Sequence, residues 1–426
     1  MKYIGIVFWF LLFFVAFFLK GYTAGGQELV YLWKIPLLIF MLFGVIGQDI
    51  KYSFLVLGYI FAIKNLINVS FFNFPIDSVI NFIKYLTIPA FVHWIYLNVN
   101  SVRAFKKLHT IPIYLAVFFI ISNIPYYLGV FSAPVSHTML WMEEGTVDGL
   151  IGILGAPHYS SAVLAVASIV VFEFILKKRG DVLLNFILIP VLLIGVFFLF
   201  KTYSRTGWLM FLVGVGALFA RKITFKDLGK IMAIGVLLIA GLVVLFQTNE
   251  GFRRRVMDER SGQEDQSAYE TVGSGRIQIA HIYLQNLYES NFATYLIGMG
   301  MEESQNRYEK KDGMPLFAHN GFIQTLVDNG ILGFLLYMLF LVTIYRAIAR
   351  AKSSYNQLTV AIFCMFLSCL LTQQANYYLV DVFLALYISI SLIDSRVNEY
   401  IKIKAIRKQL SVAERSRSTV ISKQQL

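Results

Sequence analysis

The chain has 426 residues, of which 58% are hydrophobic, 16% aromatic and only 15% charged. That is more apolar side chain than a soluble domain of this length can bury, so the composition excludes a soluble globular protein and indicates a polytopic membrane protein. The formal net charge of +12 comes largely from Lys and Arg in short loops and near the carboxyl end; it reads as a topogenic signal and not as nucleic-acid binding.

Apolar runs long enough to cross roughly 30 Å of hydrocarbon as helices fall at residues 3–19, 31–47, 53–71, 79–98, 111–131, 151–176, 182–200, 206–220, 231–247, 320–345, 357–372 and 377–394. About twelve transmembrane helices are therefore predicted. Unpaired backbone groups are not tolerated in lipid, and these runs are too long and too unalternating for barrel strands. The predicted fold class is an all-α polytopic membrane protein. The first run ends in Lys20-Gly21-Tyr22 without a small-residue cleavage site, and is expected to be retained. Helices one to nine occupy 1–247, a large outer-face loop 248–318, helices ten to twelve 319–394, and a basic tail 395–426.

With Met1 in the cytoplasm, every short basic loop falls on one side, including Lys51, Arg103, Lys106, Lys107, Lys177, Lys178, Lys226, Lys230, Arg346, Arg350 and Lys352. The acidic loop 132–150 and the long segment from about Thr248 to Phe317 fall on the other. Both termini are thus expected in the cytoplasm of a bacterial inner-membrane protein. The polar end of the tail is expected to be disordered, with a weak attraction for anionic lipid.

Taken in chain order, the polar residues inside or beside these runs are few. Lys64 and Lys84 lie within membrane runs, where a charge either snorkels to the interface or faces a cavity or partner. His158 follows a Pro in GILGAPHYSSAVLA, where a broken helix could line a cavity. Glu173 is placed to pair with Lys177. Lys201 and Arg205, in KTYSRTGW, precede an outer helix start. Arg276 opens the loop helix predicted from Ser274 or Gly275, whose apolar stripe reads Ile277, Ala280, Leu284 and Leu287. Cations are electrostatically wrong at helix N-termini unless an anion is bound there; headgroup snorkelling is the alternative. Cys364 and Cys369 have no metal-ligand spacing and read as packing residues.

The chain then leaves its long polar segment at AHNGFIQTLVDNGILG, residues 318–333. This places His319 and Asn320 at the edge of the bilayer. An imidazole there can act as a base near neutral pH, or it can cap the helix.

SRTGW at 204–208, the Arg276-led helix followed by YLIGMGME, and His319-Asn320 followed by LVDNGILG together resemble the bacterial O-antigen ligase and O-antigen polymerase superfamily. The resemblance runs from about Gly149 to Gly333. It implies a GT-C-like, metal-independent, inverting glycosyltransferase, without cofactor, using a glycan on undecaprenyl diphosphate at the outer face. On that resemblance Arg205 and Arg276 hold the donor diphosphate; Lys201, Lys84 and Lys64, cations at a helix start or inside membrane runs, are further candidates for it from the residues themselves. His319 acts on the acceptor hydroxyl, and Asn320, His158 and Asp328 support the site. His158 stands where the family pattern has Asn, and Asp328 where Glu is commoner, which leaves the local contacts at both positions open.

Implied partners are the lipid-linked glycan, a glycan or lipid A core acceptor, membrane lipids, and chain-length regulators or other polysaccharide-assembly proteins. A polymerase of O-antigen, capsular or exopolysaccharide repeat units is the first reading. A ligase to lipid A core or protein is the second. A lipid-linked oligosaccharide flippase is the third, disfavoured because the distinctive polar residues gather at one face and no two-half symmetry is visible.

Overall fold

The computed structural model describes residues 23–24, 27–28, 42–65, 76–131, 150–178, 180–220, 247, 276–300, 318–373 and 378–424. The span expected at 3–19, all but the last residue of the one at 231–247, most of the one at 31–47 and the end of the one at 53–71 lie outside the described residues, as do most of the two outer loops.

The described chain is helical apart from a two-residue antiparallel pairing of β1 (Thr23–Ala24) with β2 (Gln27–Glu28). In order, the helices are α1 (Ser53–Lys64), α2 (Ile76–Asn98), α3 (Val102–Leu108), α4 (Ile111–Ser122), α5 (Ile124–Tyr127), α6 (Pro157–Lys177) and α7 (Val182–Lys201). They continue with α8 (Arg205–Phe219), α9 (Arg276–Tyr288), α10 (Phe292–Ile297), α11 (Gly321–Arg350), α12 (Asn356–Thr372) and α13 (Tyr378–Gln424).

Among the described residues, four stretches are long and apolar enough to cross a membrane: Val102–Tyr127, Pro157–Lys177, Val182–Lys201 and Gly321–Arg350. Helices α1, α8 and α12 are apolar but shorter. The chain is a multi-pass, all-α membrane protein. Among the described residues, long apolar helices number four where the sequence predicts twelve spans, and several of those spans fall wholly or partly on undescribed residues. With 12, 15 and 17 residues, α1, α8 and α12 rise only about 18 to 26 Å, less than the hydrocarbon thickness.

Helix α6 is the centre of the bundle, packed by α4, α7, α8 and α12, and buried continuously from Ser160 to Val171. Helix α7 lies at the periphery and turns Val182, Leu183, Phe186, Leu193 and Phe197 outward, a face suited to lipid tails. Between α12 and α13 the Thr359 and Ser391 hydroxyls meet at 2.6 Å, a small-polar contact that satisfies both groups away from water.

Basic residues far apart in sequence gather at one end of the bundle. Lys177 pairs with Glu173 at 2.7 Å, as the sequence indicates, and its ammonium lies 4.0 Å from the Tyr355 ring centre. Burial, with the Asp394 and Glu173 carboxylates nearby, pushes the Tyr355 phenol up to about 12. Asp394 accepts from the Ser353 hydroxyl at 2.8 Å and from the Ser354 amide at 2.9 Å. Arg396 lies 4.4 Å from the Tyr96 ring centre and donates to the Tyr96 and Val99 carbonyls.

The tail expected to be disordered is instead the continuation of α13, helical through Gln424. Once the membrane-embedded part of a helix has formed, further residues join at the propagation cost alone, without the nucleation penalty that a free polar tail would meet.

Candidate functional site

The opposite end of the bundle carries the start of α11. Asn320 is its N-cap: the side-chain oxygen accepts from the Phe322 and Ile323 amides at 3.0 and 3.1 Å. Its Nδ2 donates to the Leu371 carbonyl at 3.2 Å, at the last turn of α12. The capping alternative considered for His319 is therefore filled by its neighbour. His319 itself precedes the cap in the left-handed region, with φ of 46°, where a residue with a Cβ is held at a cost of about 1 to 2 kcal/mol.

Among the described residues only Tyr203 shares this property, with φ of 48°. It turns the chain between the end of α7 and the start of α8, so strained junctions immediately precede both the Arg205 helix start and the His319-Asn320 cap. Strain of this kind persists only where the surroundings over-determine it. Here they do so jointly. Gln373, buried just beyond α12, donates to the Thr206 hydroxyl at 2.8 Å in the first turn of α8. The end of α12 thus binds the helix start behind His319 through Leu371 and the one carrying Arg205 through Gln373.

Helix α8 also backs onto α6, where a Cβ on Gly207 would come within 2.5 Å of the Ser161 Cβ. Ser161 donates to the His158 carbonyl at 2.9 Å, which puts His158, the second residue of α6, at the same end. Lys201 closes α7 there, and its carbonyl accepts from the Leu150 amide at 2.8 Å. Arg205 is exposed, and Lys201 and His158 are half-buried.

The helix predicted in the outer loop is α9, with Arg276 as its first residue. Its buried stripe differs from the expected one. Leu284 is exposed, whereas Tyr283 and Leu287 are buried with Met299, Ala318 and Val327, flanked by Ile279 and Ile282. Tyr283 supplies an apolar body that a strictly aliphatic reading passes over. This small core joins α9 to Ala318, the residue before His319.

The run expected as one span from 320 is broken inside. Gly330 has φ 65° and ψ −176°, so a first segment, Gly321 to Asn329, is separated from the membrane-length remainder of α11. The break frees carbonyls that a continuous helix would consume. Those of Val327 and Asp328 accept from the Met299 and Gly300 amides at 3.0 and 2.9 Å. The backbones approach so closely that a Cβ on Gly298 would lie 2.2 Å from the Asp328 oxygen, and one on Gly330 2.4 Å from the Leu296 oxygen. The GMG and DNG motifs are thus one structural unit. Lys64, ending α1, donates to the Ile297 carbonyl and approaches the Asn329 side-chain oxygen at 3.5 Å.

Asp328 is buried and accepts from Gln324 Nε2 at 2.7 Å. Tyr85, the neighbour of half-buried Lys84, meets the Thr325 hydroxyl at 3.2 Å. The structure therefore brings Lys64, His158, Lys201, Arg205, His319, Asn320 and Asp328, with the backbone of Arg276, to one end, and ties the Lys84 helix to the same segment. Sequence reasoning passed over Gln324, Gln373 and the Gly298–Gly330 contact. Asn329-Gly330, a turn dipeptide inside an apolar run, was the available signal for the last.

Such an arrangement suits an anion. Arg205 opens α8 and Arg276 opens α9; a helix N-terminus favours an anion, and guanidinium groups bind phosphate oxygens bidentately. Among the described residues no group of three or more His, Cys, Asp or Glu is placed to hold a metal ion.

No curated protein matches the chain. The family model described as O-antigen ligase matches residues 190–338, a stretch that runs from within α7 to beyond the break in α11 and contains Lys201, Arg205, Arg276, His319, Asn320 and Asp328. The GILGAPHYSSA segment lies outside it. Over residues 190–338 this membrane protein thus matches the O-antigen ligase family domain, the family that its sequence motifs resemble.

Proposed function

We propose that the chain is a membrane glycosyltransferase of O-antigen ligase type, which moves a glycan from undecaprenyl diphosphate to an acceptor hydroxyl at the outer face of a bacterial inner membrane. One observation carries the reading. The matched stretch contains both arginines and the histidine, and the end of α12 binds the helix starts at Arg205 and at His319-Asn320 through adjacent hydrogen bonds.

In this reading the acceptor oxygen attacks the anomeric carbon and the bond from that carbon to the diphosphate oxygen breaks. The hydroxyl proton passes to His319, and undecaprenyl diphosphate leaves with the electron pair. A single displacement inverts the anomeric centre. General-base assistance contributes about 10² to 10⁴ in rate. Arg205 and Arg276 stabilise the charge developing on the diphosphate. Lys201 and Lys84 add positive potential, and the GT-C-like layout lets the lipid enter between helices.

The family description favours ligation, to lipid A core or another acceptor, over polymerisation of repeat units. The lipopolysaccharide of a deletion strain separates the two. Intact polymer stranded on undecaprenyl diphosphate supports a ligase; a product of single repeats supports a polymerase; a lipid-linked intermediate confined to the cytoplasmic leaflet overturns both in favour of a flippase.

A further inference from the structure

His319 sits in a conformation that costs free energy, so some group must hold it from the amino-terminal side as Asn320 does from the other. Gln324, one turn into α11 and buried, is placed to do so. Its Oε1 accepts from the Ala318 amide at 3.4 Å while its Nε2 donates to Asp328 Oδ1 at 2.7 Å. A side-chain amide has a donor end and an acceptor end, and nothing intrinsic decides which faces which neighbour. An ionised carboxylate does decide, because it only accepts. With Asp328 at one end, the amide must present its NH₂ there and its oxygen to Ala318.

The carboxylate is itself buried, which needs compensation. The Lys64 ammonium lies nearby, donating to the Ile297 carbonyl and approaching the side-chain oxygen of Asn329, the residue after Asp328, at 3.5 Å. These contacts differ from the diphosphate-binding role expected for Lys64 from its place in a membrane run.

We propose that Gln324 and Asp328 are positioning residues, in which the carboxylate orients the Gln324 side-chain amide so that its oxygen holds the Ala318 backbone N–H, one residue before His319. The proposal rests on the reading of His319 as the reacting base only for its effect on turnover; the anchoring itself does not depend on it.

The test is an exchange of the two groups. Asp328→Asn removes the acceptor-only partner, and Gln324→Glu alone sets two carboxylates against each other. In the double variant Gln324→Glu/Asp328→Asn the new Asn donates to the new Glu, whose second oxygen can still accept from Ala318, with the charge conserved. Full-length protein in detergent is measured for turnover and donor KM, and for the rate at which diethyl pyrocarbonate modifies His319, followed by mass spectrometry.

Each single variant should lower kcat by about tenfold to a hundredfold, the scale of a misplacement near 1 Å, with donor KM little changed. Each should also alter the His319 modification rate, and the double variant should return both toward wild type. Wild-type turnover and modification rate in both single variants overturns the proposal. If the singles do not accumulate, the double decides alone: wild-type yield and modification rate support the exchange, and a double as defective as the singles overturns it. A modification rate that shifts and recovers in a protein transferring no glycan would uphold the anchoring while removing the glycosyltransferase reading.

Discussion

The amide of Asn320 holds the carbonyl of Leu371 at 3.2 Å while its oxygen caps α11. One side chain thus fixes where α11 begins and ties that point to the end of α12. Two residues farther on, Gln373 binds Thr206. The end of α12 and the residue after it, with no candidate catalytic residue of their own, thus bond to both helix starts of the candidate site.

His319→Asn and His319→Ala should both abolish glycan transfer while leaving protein levels near normal. Asn tolerates the left-handed region better than most residues, and Asn320 keeps the cap, so no stability loss is expected from His319→Asn. The measurement is polysaccharide made per unit of membrane-inserted protein. Activity retained by the Asn variant would remove His319 from the chemistry.

Asn320→Ala should cost about 0.5 to 2 kcal/mol through the lost cap alone, with the contact to Leu371 lost in addition. A thermal melt in detergent should show a lower Tm, and transfer should be weakened because the His319 junction loses one of its anchors. Asn320→Asp keeps the capping acceptor but not the donor. It should therefore recover most of the Tm and less of the activity; full recovery of both would show that the Leu371 contact is dispensable.

Gly330→Ala and Gly298→Ala should each fail to give stable protein. In either case the new methyl would meet backbone atoms of the facing segment at 2.2 to 2.6 Å, and backbone cannot rotate aside as a side chain can. Yield and size-exclusion behaviour check this. A monodisperse, active Gly330→Ala protein would mean that the break in α11 is not required.

For the diphosphate-binding role, Arg205→Ala and Arg276→Ala should raise the donor requirement or abolish transfer, and Lys at either position should rescue only in part because the planar fork is lost. Normal polysaccharide from both alanine variants would dismiss that role. In a purified system, transfer should survive EDTA; a loss restored by added Mg²⁺ would contradict metal-independent transfer.

Reporter fusions after Lys178 and Lys352 should report the cytoplasm, and one near Gln266 the outer compartment. An outer-compartment signal at Lys352 would invert the topology, moving the His319 end to the cytoplasm.

Much of this was legible because membrane insertion writes itself into sequence. The limits of α7, α8 and α12 follow runs of apolar residues, α6 starts six residues into its run, at Pro157, and Glu173–Lys177 follows helical spacing. The Arg205, Arg276 and His319 positions stood out as polar groups at apolar boundaries. What was hidden depends on contacts between distant segments. The bond from Gln373 to Thr206 leaves no local trace, since Gln373 reads as an ordinary polar residue after a helix. The Gly330 break was masked because hydropathy on both sides favours one continuous span, and hydropathy does not register φ. The face of α9 was misjudged because Tyr283 scores as half polar, yet is buried by Met299 and Val327.

The break at Gly330 also uncouples rotational phase. In an unbroken helix each residue is offset by about 100° from the last, so any twist or slide of the lipid-embedded part is passed on to every residue upstream. Here the nine residues from Gly321 to Asn329 take their orientation from Met299, Gly300 and the Asn320 cap. The part from Ile331 onward takes its own from the bundle, with Leu332, Leu335 and Leu339 exposed on its outer face. The lipid-facing surface of this helix can therefore drift in sequence, tilt with bilayer thickness or be re-engineered, while the bearing of His319 stays set.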